Sequence, residues 1–292
     1  MFLTHRIEEI VVQSTDTRRA IGEFVLRERS HLADYTIGDI AEATFSSKPS
    51  VTRFAKALGY SGWRDFIRDF VAEVHFEESH QTAVDPNYPF AAGDADETVI
   101  NAVADAQFDA VADTMRLLNR GAIALGARYL QHAKCVHVFG VSPNTYLGEL
   151  FCRKLLSVGK TAHVASPDEN GVVARSLTSD DCAVIISYSG NNPAVNPMQV
   201  VPTLLANKVP TIAITGEGEN YLRHNVRCTL TISSRETLYD KISTFGTEAS
   251  ILFLLNALFG CYFARAYERN KAFKTRSAQA LEQSREAAGI ER

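Results

Sequence analysis

Thr36–Phe66 reads TIGDIAEATFSSKPSVTRFAKALGYSGWRDF, and this stretch decides how the first part of the chain folds. Thr36 precedes an apolar run with Asp39 three residues on, the arrangement of a capping box, and Ile37, Ile40 and Ala41 recur at helical spacing. Phe45-Ser46-Ser47 breaks the pattern. Ser47 can cap a second helix, Pro49 falls in its first turn where a missing N–H costs little, and the helix ends at Leu58 before Gly59. The outline is a helix-turn-helix.

At 100° per residue, Val51, Phe54, Ala55 and Leu58 share one face of the second helix, and Ser50, Thr52, Arg53 and Lys56 share the other. Between Glu42 and Asp65 there is no acidic residue, yet Lys48, Arg53, Lys56 and Arg64 lie there. Such a face can simply be solvated. A basic window on two short helices joined by a tight turn is also what a helix needs to approach phosphates and set small polar side chains against base edges. On that reading Ser50, Thr52, Arg53 and Lys56 enter the major groove of a duplex operator, and Ser47, Lys48 and Arg64 serve its rim and backbone.

Around this stretch are 292 residues, enough for two domains, with 46% hydrophobic and 9% aromatic residues, the composition of a globular chain with a real core. A net charge of -4 excludes coating nucleic acid by bulk charge, so DNA binding must come from a local patch. Cys135, Cys152, Cys182, Cys228 and Cys261 are odd in number and mostly set in apolar runs. They predict buried thiols in a reducing cytosol, with no zinc site and no disulfide framework. The opening MFLTHRIEEI is amphipathic and acidic, unlike a secretion signal, and the apolar run from Ile251 to Phe263, interrupted by Asn256 and Gly260, is too short to span a bilayer. A cytoplasmic protein without metal, cofactor or membrane partner is expected.

Helical periodicity runs from Thr4 to Ser30, divided near Ser14 or Thr15, and returns from Trp63 to Phe76. These segments and the helix-turn-helix predict an all-α domain over 1–78. The stretch EESHQTAVDPNYPFAAGDAD, with Pro86, Pro89 and Gly93, reads as a linker, placed at 79–96. Helical patterns at Glu97–Asn119 and Ala122–His132 follow. Then short apolar runs alternate with helices: CVHVF from Cys135, Thr161–Ala165, CAVIISY from Cys182, Thr211–Thr215 and Thr229–Ile232, with helices at Asn144–Val158, Asn170–Leu177, Ala194–Asn207 and near Tyr221. Continuous apolar strands alternating with helices predict an α/β domain with a doubly wound parallel sheet over 97–270. A long apolar helix, Phe245–Glu268, and a charged, frayed tail at 271–292 close the chain.

Ligands of such sheets sit beyond the carboxyl ends of the strands. Two of those ends carry polar loops: FGVSPNT, Phe139–Thr145, and SYSGNNPA, Ser187–Ala194. Hydroxyls, amides and backbone N–H groups before a helix can converge on an anion, with a phosphate the obvious guest, although hydroxyl-rich corners also cap helices. Neither loop is a P-loop or a dinucleotide fingerprint. Glu248, in the first turn of the last helix, reads as a residue opposing the helix dipole. His137 reads as a strand residue, and His163 and His224 as polar surface positions.

SVTRFAKALGYSGWRDF is similar to the N-terminal helix-turn-helix domain of the RpiR family of bacterial transcription regulators, and the second half resembles the sugar isomerase (SIS) domain those regulators carry. The resemblance implies a regulator of sugar catabolism whose effector is a phosphorylated sugar. Repression relieved by the effector is favoured over activation, and a DNA-binding homodimer or homotetramer, not an enzyme, is expected. Carried over by position, Ser187, Ser189 and Gly190 match the family's S-x-S-G phosphate loop, while Asn192 stands where threonine is frequent. The usual G-x-G-x-S of the first loop becomes Gly140-Val141-Ser142-Pro143-Asn144, so Ser142 and Asn144 are the candidate contacts there. Glu236 in SRETLYDK matches an acidic position of the family's sugar-facing loop, and Thr247-Glu248 replaces a frequent Ser-Arg pair. The alternative is a phosphosugar isomerase using Glu236, Glu248 or His224 as a base. An adaptor that senses a metabolite and binds protein would leave Arg53 and Lys56 without a nucleic-acid role.

Overall fold

The computed structural model describes residues 3–79, 84–233 and 235–287. Within them the chain forms two compact units, Met1–Ala106 with Arg235–Thr244, and Gln107–Ser234 with Phe245–Arg292. Residues 80–83 of the expected linker and 288–292 of the expected tail lie outside the described residues.

In the first unit, the helical pattern before Ser30 resolves into α1 (Leu3–Gln13) and α2 (Thr17–Arg27), the latter capped by Asp16, whose carboxylate accepts from the Arg18 N–H at 3.0 Å. After a 3-10 turn over Arg29–Asp34 comes α3 (Ile37–Ala43). Its capping box is complete: Thr36 Oγ1 accepts from the Asp39 N–H at 3.2 Å, and the Asp39 carboxylate accepts from the Thr36 N–H at 2.8 Å. Two donors that a helix start would leave orphaned are satisfied reciprocally. The next helix, α4 (Lys48–Ala57), begins at Ser47, whose Oγ accepts from the Ser50 N–H at 3.3 Å, and α5 (Trp63–Ser79) follows. Val51, Phe54, Ala55 and Leu58 all turn inward, as the spacing predicts, onto Ile7, Ile21, Val25, Leu32 and Ile40. Phe66 meets Phe54 edge-on with centroids 6.2 Å apart, lies 4.9 Å from Trp63, and stacks on Phe70 at 5.6 Å. Each such ring contributes about 1.5–3 kcal/mol by leaving water, which fixes α4 against its neighbours.

α6 (Asp96–Leu117) and α7 (Arg120–His132) lead into the second unit. There β1 (Cys135–Phe139), α8 (Asn144–Leu156), β2 (Thr161–Val164), α9 (Asn170–Ser176), β3 (Cys182–Ile186), α10 (Val201–Ala206), β4 (Thr211–Thr215), α11 (Tyr221–Asn225) and β5 (Cys228–Thr231) alternate, and α12 (Phe245–Ala264) and α13 (Tyr267–Ala287) end the chain. The sheet is wholly parallel in the order β2-β1-β3-β4-β5. One face, with Val136, Val138, Val184, Ile212 and Ile214, is covered by α7, α8 and α12; the other, with Phe139, Ala183, Ile185 and Ala213, is covered by α9, α10 and α11. Strands covered on both sides have no use for alternating polarity, which is why they read as unbroken apolar runs.

Three segments depart from the sequence expectation. The helix expected from Ala194 starts only at Val201, after a 3-10 turn over Met198–Val200. Pro193 and Pro197 supply no N–H there, so a helix through that segment would lack ladder donors. The tail is not frayed through its described part: α13 reaches Ala287, helped by a run with no glycine or proline from Tyr267 to Ala287 and by the buried Asn270, whose Nδ2 donates to the Phe263 carbonyl at 3.1 Å. Finally, α12 is 20 residues long and apolar enough by length and composition to cross a membrane. Its residues Ile251, Leu254, Leu255, Leu258 and Tyr262 pack into the core under the sheet.

All five cysteines are free, and Cys152, Cys182 and Cys228 are buried. Burial pushes the Cys152 thiol up to about 12 and that of Cys228 up to about 11, which keeps both protonated and unreactive.

Candidate functional site

The head of the first unit presents α4 with Ser47, Lys48, Arg53 and Lys56 exposed and Thr52 half-buried, its hydroxyl donating to the Lys48 carbonyl at 3.2 Å. Arg64 is exposed at the start of α5. Among the described ion pairs none takes Lys48, Arg53, Lys56 or Arg64, so their charge faces outward. Ser50 departs from the wheel. Expected on the free face, it is only 8% exposed, because it belongs to the first turn and faces the cap rather than solvent. Ser50 Oγ lies 2.9 Å from Ser47 Oγ and accepts from Arg53 Nη2 at 2.8 Å. Ser50 thus aims the guanidinium from behind.

At the carboxyl end of the sheet, the loops after β1 and β3 flank the point where the strand order reverses, the place where doubly wound sheets bind ligands. Asn144, the first residue of α8, joins them: its Nδ2 donates to the Ile186 carbonyl at 3.5 Å. Ser142 is exposed. α8 carries no side-chain cap at its start, and its Tyr146 N–H turns back to the Pro143 carbonyl at 3.0 Å.

In the second loop Ser187 is buried and Ser189 half-buried. Ser187 Oγ accepts from the Gly190 N–H at 3.2 Å, leaving its own proton to donate elsewhere. Gly190 has φ +61, and a Cβ there would stand 2.5 Å from Thr215 Oγ1 and 3.0 Å from Asn220 Oδ1, so only glycine fits. Asn192 Oδ1 accepts from the Ala194 N–H at 2.9 Å and closes a turn instead of starting a helix. The loop therefore offers hydroxyls and backbone N–H groups, but no adjoining helix N-terminus of the kind the sequence suggested.

Two supporting residues escaped the sequence reading. Thr215 Oγ1 donates to the Tyr188 carbonyl at 3.3 Å, and Asn220, cap of α11, donates from Nδ2 to Thr215 Oγ1 at 3.1 Å. Asn before Tyr221 was a readable cap; its reach back to β4 was not. A third is Asn170, opening α9 after β2: it is 1% exposed and its amide has no hydrogen-bond partner among the described residues. The Asn196 amide donates to the Pro167 carbonyl at 3.1 Å and ties the β2–α9 turn to the segment after β3.

Glu236 packs within the first unit. It is 1% exposed, its carboxylate is 3.7 Å from Lys241 Nζ, and its carbonyl accepts from His5 Nε2 at 2.7 Å. Glu248 lies in the first turn of α12 and His224 pairs with Glu219 at 3.1 Å on the surface of α11. His137 and His163 are cross-strand neighbours with rings 5.9 Å apart, and burial, with His163 second, lowers the pKa of His137. Among the described residues no group of three or more His, Cys, Asp or Glu could hold a metal.

Comparison with known proteins falls in line with this geometry. The helix-turn-helix domain of the rpiR family matches residues 1–74, and the SIS domain matches residues 129–259. An HTH-type transcriptional regulator from the aarA 3' region of Providencia stuartii is 27% identical over 75% of this chain and 76% of its own length. One from Clostridium perfringens is 21% identical over 95% of this chain and 99% of its own. Among solved structures, the Vibrio vulnificus NanR protein complexed with ManNAc-6P superposes with a TM-score of 0.61 at 19% identity, covering 96% of this chain and 98% of that one. The sugar isomerase domain of an RpiR transcription factor from Sphaerobacter thermophilus gives 0.53 at 16%, over 62% of this chain and 98% of its own. At such identities the superpositions establish the fold, and the two matched domains in this order establish the kinship: the chain belongs to the RpiR family of helix-turn-helix transcriptional regulators that carry a SIS domain.

Proposed function

We propose that this chain is a cytoplasmic repressor of carbohydrate catabolism that binds a duplex operator through α4 and releases it when a phosphorylated sugar occupies the sheet loops. The observation that carries the reading is the pairing, in one chain, of an outward basic α4 with two hydroxyl- and amide-rich loops at the strand-order reversal. Thr52, Arg53 and Lys56 read base edges, Ser50 positions Arg53, and Ser47, Lys48 and Arg64 hold phosphates. Ser187, Ser189, the Gly190 N–H and Asn192 hold the sugar's phosphate, with Asn144 and Ser142 facing it from the first loop. The chain works as a homodimer or homotetramer, because a two-fold protein reads paired half-sites about one helical turn apart. It binds the sugar phosphate without turning it over.

ManNAc-6P, held by the Vibrio vulnificus protein of the same fold, is the first ligand to try, within a panel of hexose and amino-sugar phosphates. A thermal-shift screen should find one that raises the melting temperature, with the shift lost in Ser189→Ala. No response across the panel would remove the effector half of the reading, and turnover of the bound sugar would replace it with an isomerase.

A further inference from the structure

Helix α3 ends in a turn that calls for glycine. The Ser46 N–H donates to the Ala41 carbonyl at 2.8 Å and the Phe45 N–H to the Glu42 carbonyl at 3.1 Å, the paired bonds of a Schellman motif with Phe45 at its left-handed position. Phe45 has φ +48, a region that side chains avoid and bulky ones most of all. Its ring gains nothing from the fold in return, being 97% exposed. A lone exposed apolar residue is ordinary on a protein surface. An aromatic ring that is both unburied and on strained backbone is not, because glycine would relieve both costs at once.

The position gives the ring its use. Phe45 stands two residues before Ser47, the cap of α4, and in helix-turn-helix proteins the N-terminal residues of the second helix are the ones that meet base edges. Exposed Lys48 and Arg53 follow it. The major groove offers one apolar partner to such a ring, the thymine 5-methyl group, and a phenylalanine contact with it is a known form of direct readout.

We infer that Phe45 is a specificity-determining residue that packs its ring on a thymine methyl at the edge of the site read by α4. The inference rests on the DNA-binding reading above and extends it to a position outside the polar face. A ring in this place adds discrimination for thymine that the serines, threonine and arginine of α4 do not supply.

The test uses duplexes enriched from a random-sequence library by the full-length wild-type chain. Phe45→Gly keeps the left-handed turn, so its melting temperature should equal or exceed that of the wild type. Its affinity for the enriched duplex should fall about tenfold. Replacing thymines one at a time by deoxyuridine should weaken the wild type about fourfold at one position, the worth of one methyl, and leave Phe45→Gly unaffected there. Equal affinity of the two proteins overturns the inference, and so does a weakening without any methyl dependence. Failure of the wild type to enrich any duplex would sink the DNA-binding reading itself, a result distinguishable from the other two.

Discussion

His5 Nε2 donates to the carbonyl of Glu236 at 2.7 Å, across 231 residues of sequence, inside the first unit. A carbonyl can only accept, so Nε2 carries a proton. Burial lowers the pKa of His5 from 6.5 to about 4, the hydrogen bond opposes this, and the nearby charges of Lys241 and Arg29 lower it further. Because the folded value lies below the unfolded one, the unfolded chain binds more protons between those limits. The stability His5 contributes is complete above pH 6.5 and is lost as pH falls towards 4. The loss should be roughly 3 kcal/mol across that window. Trp63, the chain's single tryptophan, lies in the core of this unit, so its fluorescence in urea titrations at pH 7 and pH 5 reports the unit directly. Burial raises the pKa values of Glu8 and Glu73, which act in the opposite sense, so the quantity to compare is wild type minus His5→Gln. An equal acid response in both proteins would rule out this account of His5.

Glu8 makes the second bond to the same loop, its Oε2 accepting from the Leu238 N–H at 2.8 Å, while Asn87 Oδ1 accepts from the Thr237 N–H at 2.7 Å. Removing an acceptor from a buried donor exposes the donor's desolvation cost, about 1–3 kcal/mol. Glu8→Ala should therefore lower the unfolding free energy read from Trp63 fluorescence in urea by that amount, with a lower midpoint, and Glu8→Gln, which keeps a carbonyl oxygen in place, should lower it less. If both variants unfold at the wild-type midpoint, the bond contributes nothing to this unit.

Such contacts mark where sequence reading stops. The runs CAVII and TIAIT are buried on both faces, so their composition alone announced a parallel sheet. Thr36 with Asp39 and Ser47 with Pro49 act within one helical turn, and those caps formed as the spacing requires. Ser50 failed the helical wheel because at a helix start the cap, not the periodicity, sets the surroundings of a side chain. The late start of α10 follows from Pro193 and Pro197, whose missing N–H groups outweigh the helical spacing of the residues beyond them. The partners of Glu236 were illegible because nothing local ties residue 236 to His5. The support of Gly190 by Thr215 and Asn220 was hidden for the same reason: the loops after β3 and β4 meet only once the sheet has formed.

Arg53 and Ser50 separate charge from positioning on α4. Arg53→Ala should weaken binding to an enriched duplex and relax its sequence preference, with the slope of log affinity against log salt close to that of the wild type, because the phosphates are held by Lys48 and Arg64. Ser50→Ala keeps the charge but frees it from the 2.8 Å bond that aims it. It should cost less affinity than Arg53→Ala and leave the salt slope unchanged. Fluorescence anisotropy over a salt series measures both, and a slope reduced by about 0.9 in Arg53→Ala would show that its charge meets a phosphate and not a base edge.

Gly190→Ala tests the sheet loop more sharply than loss of a hydroxyl does. At φ +61 alanine is strained, by about 1–2 kcal/mol, before any contact is considered. The added methyl would also stand 2.5 Å from Thr215 Oγ1, which is held by the Asn220 amide and the Tyr188 carbonyl and cannot swing aside without breaking those bonds. The backbone must move instead, carrying the Gly190 N–H away from Ser187 Oγ and breaking the cradle between Ser187 and Asn192. The expected result is a second unit that still folds, with a modest fall in melting temperature, and that no longer gains stability from the phosphosugar that stabilises the wild type. DNA selection by α4, built wholly within the first unit, should survive in the same variant. A full ligand-induced shift in Gly190→Ala would mean that the sugar phosphate is held elsewhere.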